Sequence, residues 1–102
     1  MMPRAFVYII SNKSRTLYCG ITTDLRRRFE EHKNGAYVDS FTARYRWTRL
    51  VWFEAADSLA SAAKREKEIK GWSRLKKLAL IQETNPNMED LSPRLDPLAP
   101  FA

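Results

Sequence analysis

A single cysteine, Cys19, in 102 residues leaves no partner for an internal disulfide and no thiolates for a zinc cluster. Histidine is as scarce: His32 stands alone, so no His pair at metal-ligand spacing exists. Only three glycines are present, and none opens a phosphate-cradling loop of the P-loop or dinucleotide type. No serine sits in a nucleophile-elbow setting. No apolar run approaches the ~20 residues that a membrane helix needs. The longest N-terminal apolar stretch, Ala5 to Ile10, is too short for a signal-peptide core, and no small-residue cleavage site follows it. These absences predict a soluble, cytoplasmic, single-domain chain with no membrane partner. What is present suffices for a core, since 44% of residues are hydrophobic and twelve are aromatic.

Charge is unevenly spread. Residues 1–80 hold 17 basic and 8 acidic side chains, a balance of +9, whereas residues 81–102 set Arg94 against Glu83, Glu89, Asp90 and Asp96, a balance of −3. A body at +9 should attract a polyanion, because phosphate neutralisation supplies most non-specific nucleic-acid affinity. The plainer reading of the same charge is solubility. The acidic end is too short and mixed to count as a charge block.

Ala5 to Ile10 has the β-branched and aromatic composition of a buried strand, and Thr16 to Ile21 reads as a second. The turn chemistry of residues 11–15 between them predicts an antiparallel hairpin. Thr22-Thr23-Asp24 offers N-caps for a helix over Leu25 to Lys33, with Asn34-Gly35 as its stop. Residues 36–46 read as a loop carrying Tyr37, Phe41, Arg44, Tyr45 and Arg46, and Arg49 to Ala55 as a third strand. Asp57-Ser58 caps a helix to Lys70, ended by Gly71; Ser73 caps another from Arg74 to Thr84. The stretch from Asn87, with Pro93, Pro97 and Pro100, reads as irregular or draped on the body. The order β-β-α-β-α-α predicts an α/β fold of the α+β sandwich kind: a three-stranded antiparallel sheet flanked by helices.

The informative side chains are those that break the burial pattern. Leu25 and Phe29 define the apolar stripe of the first helix, and helical spacing brings Arg28 and His32 onto it or to its edge. In the next helix Leu59, Ala62, Ala63 and Ile69 make the stripe, and Glu66 falls within it. An inward carboxylate beside small alanines could ligate a hard cation; equally, Glu66 and Arg28 could satisfy one another as an ion pair. Glu68 sits with Ser61, Lys64 and Arg65 on the outer face, where it can pair with Lys64. Tyr8 and Tyr18 lie on the two hairpin strands, where tyrosines usually serve cross-strand packing. Gly20 removes a side chain where a ligand could approach the backbone. Cys19 reads as a small buried hydrophobe. A lone carboxylate near basic groups suits phosphodiester chemistry on one Mg²⁺ or Mn²⁺.

In this ordered set the chain resembles the GIY-YIG endonuclease family. Phe6-Val7-Tyr8 keeps the tyrosine of the first motif, and Tyr18-Cys19-Gly20 keeps the tyrosine and glycine of the second. Arg28 and His32 follow at the family's spacing, and the run Ala63 to Trp72 is similar to the helix that carries its metal-binding glutamate. Length and the Lys-Gly-Trp-Ser-Arg run at 70–74 look most like the short, stand-alone bacterial YhbQ-like subgroup. The resemblance covers Ala5 to Pro86, and implies a nuclease-like domain over residues 1–86 and a Pro-containing acidic tail over 87–102.

The resemblance implies a metal-dependent endonuclease acting on DNA in preference to RNA. Cutting would be directed by DNA structure, with repair or recombination as its setting. Glu66 would hold the divalent ion, and Arg28 would bind the scissile phosphate. Tyr8 or Tyr18 would help deprotonate the attacking water, with Tyr8 favoured, and His32 would support a tyrosine or the proton transfer. Asn85 is the candidate for the asparagine that the family places near the end of its fold. With no attached DNA-binding domain expected, substrate grip falls to Lys64, Lys67, Lys70, Arg74, Lys76 and Lys77, with Arg44 and Arg46 of the 36–46 loop. The competing reading is a non-catalytic nucleic-acid-binding module that keeps the fold. A third is an interaction subunit docking on an acidic protein.

Overall fold

The computed structural model describes residues 4–12, 15–33 and 47–95. Strands β1 (Ala5–Asn12), β2 (Leu17–Thr22) and β3 (Trp47–Ala56) form one antiparallel sheet in the order β2-β1-β3. Helix α1 (Leu25–Lys33) follows β2, and α2 (Leu59–Lys70) and α3 (Arg74–Thr84) follow β3; a 3-10 turn, Ser92–Leu95, comes last. The predicted order and sheet are those observed. The expected stop at Asn34-Gly35 and the 36–46 segment, including Arg44 and Arg46, lie outside the described residues, as does everything after Leu95.

Every residue of β1 is buried because the central strand is covered on both faces. Ala5, Val7 and Ile9 join Cys19, Ala62, Ile69 and Ile81 on one side; Phe6, Tyr8 and Ile10 join Leu25, Phe29, Leu50, Leu91 and Leu95 on the other. Thus α2 and α3 cover one face, and α1 with the 3-10 turn covers the other. The β1–β3 register slips between Ile9, opposite Trp52, and Ile10, opposite Leu50. Val51 is the extra residue of that bulge, so it and Trp52 turn to the same core.

Local chemistry sets the helix starts. Asp24, Ser58 and Ser73 each accept a backbone N–H three residues on, from Arg27, Ser61 and Lys76. The segment after α3 is held by longer-range bonds. Leu91 N–H donates to the Leu50 carbonyl at 2.7 Å and Leu50 N–H to Asp90 Oδ1 at 3.0 Å. Leu91 and Leu95 are then buried in the α1-side core, so this stretch belongs to the packed body as far as Leu95.

Candidate active site

The β1–β2 register sets Tyr8 directly opposite Gly20 and places Tyr18 diagonally from it on the same face. From α1, His32 reaches that face, and its Nε2 shares a buried hydrogen bond of 2.9 Å with the Tyr8 hydroxyl. Tyr8 is 1% and His32 3% exposed, whereas Tyr18 is half-buried. The three rings touch: His32 lies 5.1 Å from Tyr18 and 5.9 Å from Tyr8, and the tyrosines are 6.5 Å apart, centroid to centroid. Gly20 makes this possible. A Cβ at position 20 would sit 2.5 Å from the Tyr8 hydroxyl oxygen and 2.7 Å from Cζ. The sequence reading left that space to a ligand; the phenol of Tyr8 itself fills it.

Arg28 stands one turn before His32 on α1, half-exposed, with its Nε 3.6 Å from a Glu31 carboxylate oxygen. Glu31 also pairs with Arg27 at 3.8 Å. Glu31 thus meets both guanidinium groups, Arg27 through Oε2 and Arg28 through Oε1.

Glu66 arrives from the other side of the sheet. It is half-buried, and its Oε2 pairs with Lys70 Nζ at 3.6 Å. Lys70 in turn lies 5.9 Å over the Tyr18 ring, linking Glu66 to the edge of the tyrosine cluster. Burial, reinforced by the negative charge of Glu66, pushes the Cys19 thiol up to about 11, while Lys70, Lys77 and Arg65 act in the opposite direction. Glu66 therefore faces β2, the strand of Tyr18, and Cys19 is an inert core thiol.

The alternative pairing of Glu66 with Arg28 is replaced by these two separate pairs. Glu68 pairs with Arg65 at 3.6 Å instead of Lys64, and Arg65, expected on the outer face, is half-buried against Glu54 at 3.3 Å and the Trp72 ring at 5.3 Å. Leu59 and Ala63, expected on the buried stripe, are exposed, leaving Ala62 and Ile69 as the buried contacts of α2. The helix meets the sheet along a narrower line than its composition suggests.

The basic side chains separate into groups. Lys64 and Lys67 are exposed on α2, and Lys76 lies 4.4 Å over the Trp72 ring. Arg74 and Lys77 line a groove with Arg15 at the start of β2, a residue the sequence reading did not single out. Asn85 is 4% exposed and bonded to backbone: Nδ2 donates to the carbonyls of Val51 and Glu89, and Oδ1 accepts from Glu89 N–H.

Among the described residues no three His, Cys, Asp or Glu side chains converge on a metal-sized site. Magnesium does not require such a cage, since it keeps most of its waters and accepts one or two carboxylates plus substrate phosphate oxygens. A single half-buried carboxylate at a cluster edge, Glu66, fits that donor set. No helix among the described residues is long and apolar enough to cross a membrane.

The site thus combines, on a β-β-α-β-α-α fold, paired strand tyrosines, a helix arginine and histidine, and a glutamate on the following helix. The sequence matches the GIY-YIG catalytic domain over residues 4–79, and the chain belongs to that family. Its relatives are UPF0213 proteins, the YhbQ-like group. It is 39% identical over 87 residues to the UPF0213 protein of Syntrophus aciditrophicus, covering 85% of this chain and 100% of that one. It is 40% identical over 78 residues to a UPF0213 protein of Haloquadratum walsbyi, covering 76% of this chain and 86% of that one. Its fold is similar to the solution NMR structure of a UPF0213 protein from Bacillus halodurans, with a TM-score of 0.53 and 34% identity over 81% of this chain and 87% of that one.

Proposed function

We propose that this chain is a metal-dependent endonuclease that hydrolyses phosphodiester bonds in DNA, directed by nicks, branches or other distortions of the kind met in repair and recombination. The observation that carries the reading is the buried Tyr8–His32 hydrogen bond inside the three-ring cluster. A phenol with an ordinary pKa near 10 is a poor base at neutral pH. An imidazole 2.9 Å away changes that when its Nε2 is unprotonated: the Tyr8 O–H then donates to Nε2 and can pass its proton there as the phenol accepts one from water. Tyr18, half-buried against the His32 ring, holds the approach to that pair.

Arg28 lies on the same helix as His32 and can turn its guanidinium from Glu31 to a substrate phosphate, whose paired oxygens suit bidentate binding. It then stabilises negative charge as the phosphate passes through its transition state. Glu66 would hold one Mg²⁺ or Mn²⁺, which when bound would supply charge neutralisation at the phosphate and leaving oxygen. Lys70, now paired with Glu66, must release it for that ion.

The test is cleavage of a labelled panel (single-stranded, duplex, nicked, flap and four-way-junction DNA, with RNA) in Mn²⁺, Mg²⁺ or EDTA. Wild type and Glu66→Ala are compared side by side to expose contaminating nuclease. The reading expects cleavage of distorted DNA that is lost in EDTA and in the variant. Salt-sensitive binding with no cleavage in any metal would instead establish a binding module on the same fold.

A further inference from the structure

The start of β2 carries a feature that the catalytic cluster does not use. Arg15 adopts φ 62°, in the left-handed region, with its N–H donating to the Asn12 carbonyl at 3.0 Å. Next to it, Thr16 N–H donates to Asn12 Oδ1 at 2.9 Å. A left-handed residue closing a short hairpin link is where glycine or asparagine costs least. An arginine there carries conformational strain that its backbone role does not require. The Arg74 guanidinium donates to the Arg15 carbonyl at 2.6 Å, tying the strained residue to the first turn of α3. Around this contact Arg15, Thr16, Leu17, Arg74 and Lys77 line an open groove of about 450 Å³, with no carboxylate in its lining among the described residues. A second hollow, of about 220 Å³, shares Arg15 and adds Arg49. Four cations thus surround two adjoining depressions.

The groove and the cluster share strand β2: Leu17, in the groove wall, packs toward the α2–α3 core, and the next residue, Tyr18, turns to the opposite, α1 face. Lys77 and Lys70 both act on the Cys19 thiol, so cations from the groove and from the Tyr18 edge flank the same strand. We propose that the groove between the hairpin link and the start of α3 binds a backbone phosphate of the substrate strand beyond the scissile bond, with Arg15 as its principal ligand beside Arg74 and Lys77. The ligand class, a nucleic-acid phosphodiester, rests on the nuclease reading; the site itself rests on the strained arginine and the cationic lining.

The experiment measures affinity for a nicked duplex DNA in EDTA by fluorescence anisotropy, across a series of KCl concentrations, with thermal unfolding of each protein in parallel. Wild type, Arg15→Gly, Arg15→Lys and, as a control on the 3-10 turn, Arg94→Ala are compared. Arg15→Gly is expected to bind about fivefold more weakly at low salt, and its slope of log K against log salt should be shallower by about 0.9, one phosphate contact. Its unfolding temperature should equal or exceed wild type, because glycine relieves the left-handed strain. Arg15→Lys should retain most of the slope, and Arg94→Ala all of it. An Arg15→Gly protein with the affinity and slope of wild type overturns the proposal while leaving the nuclease reading intact. An Arg15-dependent slope in a protein that cuts nothing upholds the groove and removes the nuclease reading. A wild type that binds none of the DNA overturns both.

Discussion

Tyr8 and Gly20 depend on one another. The phenol occupies the volume in which any Cβ at position 20 would stand, 2.5 Å from its oxygen. Gly20→Ala should therefore displace the ring, cost about 1–3 kcal/mol by overpacking, and disturb the bond to His32. In Gly20→Ala, Tyr8→Phe should recover part of that loss by removing the closest atom, a coupling that a double-mutant cycle of unfolding free energies measures. Cys19 supplies a second prediction. Its thiol is raised from 9.0 to about 11, chiefly by burial. A folded pKa above the unfolded value gives stability present below pH 9.0 and lost as pH rises toward 11, when the unfolded chain releases a proton that the folded one keeps. Denaturation at pH 8, 10 and 11 should show wild type losing about 2 kcal/mol by pH 11 relative to its own pH 8 value through this group, with Cys19→Ala flatter by that amount. The sequence marked Arg28, His32 and Glu66 as anomalies because each falls on or beside an apolar stripe, and Tyr8 through the family resemblance. It left Gly20 to a ligand, because strand register, which pairs it with Tyr8, is not a local property.

Elements whose ends are set by neighbouring residues were readable. Asp24, Ser58 and Ser73 cap their helices through bonds spanning three residues, so the starts of α1, α2 and α3 follow from composition alone. The interior of α2 was less legible: between buried Ala62 and Ile69, the half-buried Arg65 and Glu66 diverge, one to Glu54 on β3 and the other toward β2. Periodicity alone gives a stripe but not which strand lies under each flank. The segment after α3 was least legible, since its anchors at Leu50 and Val51 are distant in the chain. Asn85 closes α3 and donates to Val51 and Glu89 while accepting from Glu89. Asn85→Ala strands those backbone groups and should cost about 2–4 kcal/mol in chemical denaturation. Cleavage per folded molecule should persist, because its amide is already committed to backbone; loss of cleavage with unchanged stability would instead assign Asn85 to the chemistry.

Across the whole molecule, one sheet serves two cores, and the tyrosine cluster lies on the α1 face while Glu66 comes from the helix layer on the opposite face. The two meet at the β2 edge, where Lys70 bridges Glu66 and Tyr18. That edge is also where Arg15, Arg74 and Lys77 gather, so the net charge of +6 is put to most use along one border. Charge and fold order were visible in the sequence, but this convergence was not. It depends on α2 crossing the sheet with Glu66 on the β2 side, which spacing along one helix cannot specify. The central claim is that the Tyr8–His32 pair carries the proton transfer. Its most direct test is single-turnover cleavage of the preferred substrate by Tyr8→Phe, which deletes one oxygen and keeps the ring, with DNA affinity and unfolding temperature measured on the same protein. The account predicts a fall in rate of about 100-fold or more at unchanged affinity. A Tyr8→Phe protein that cuts at the wild-type rate would contradict it.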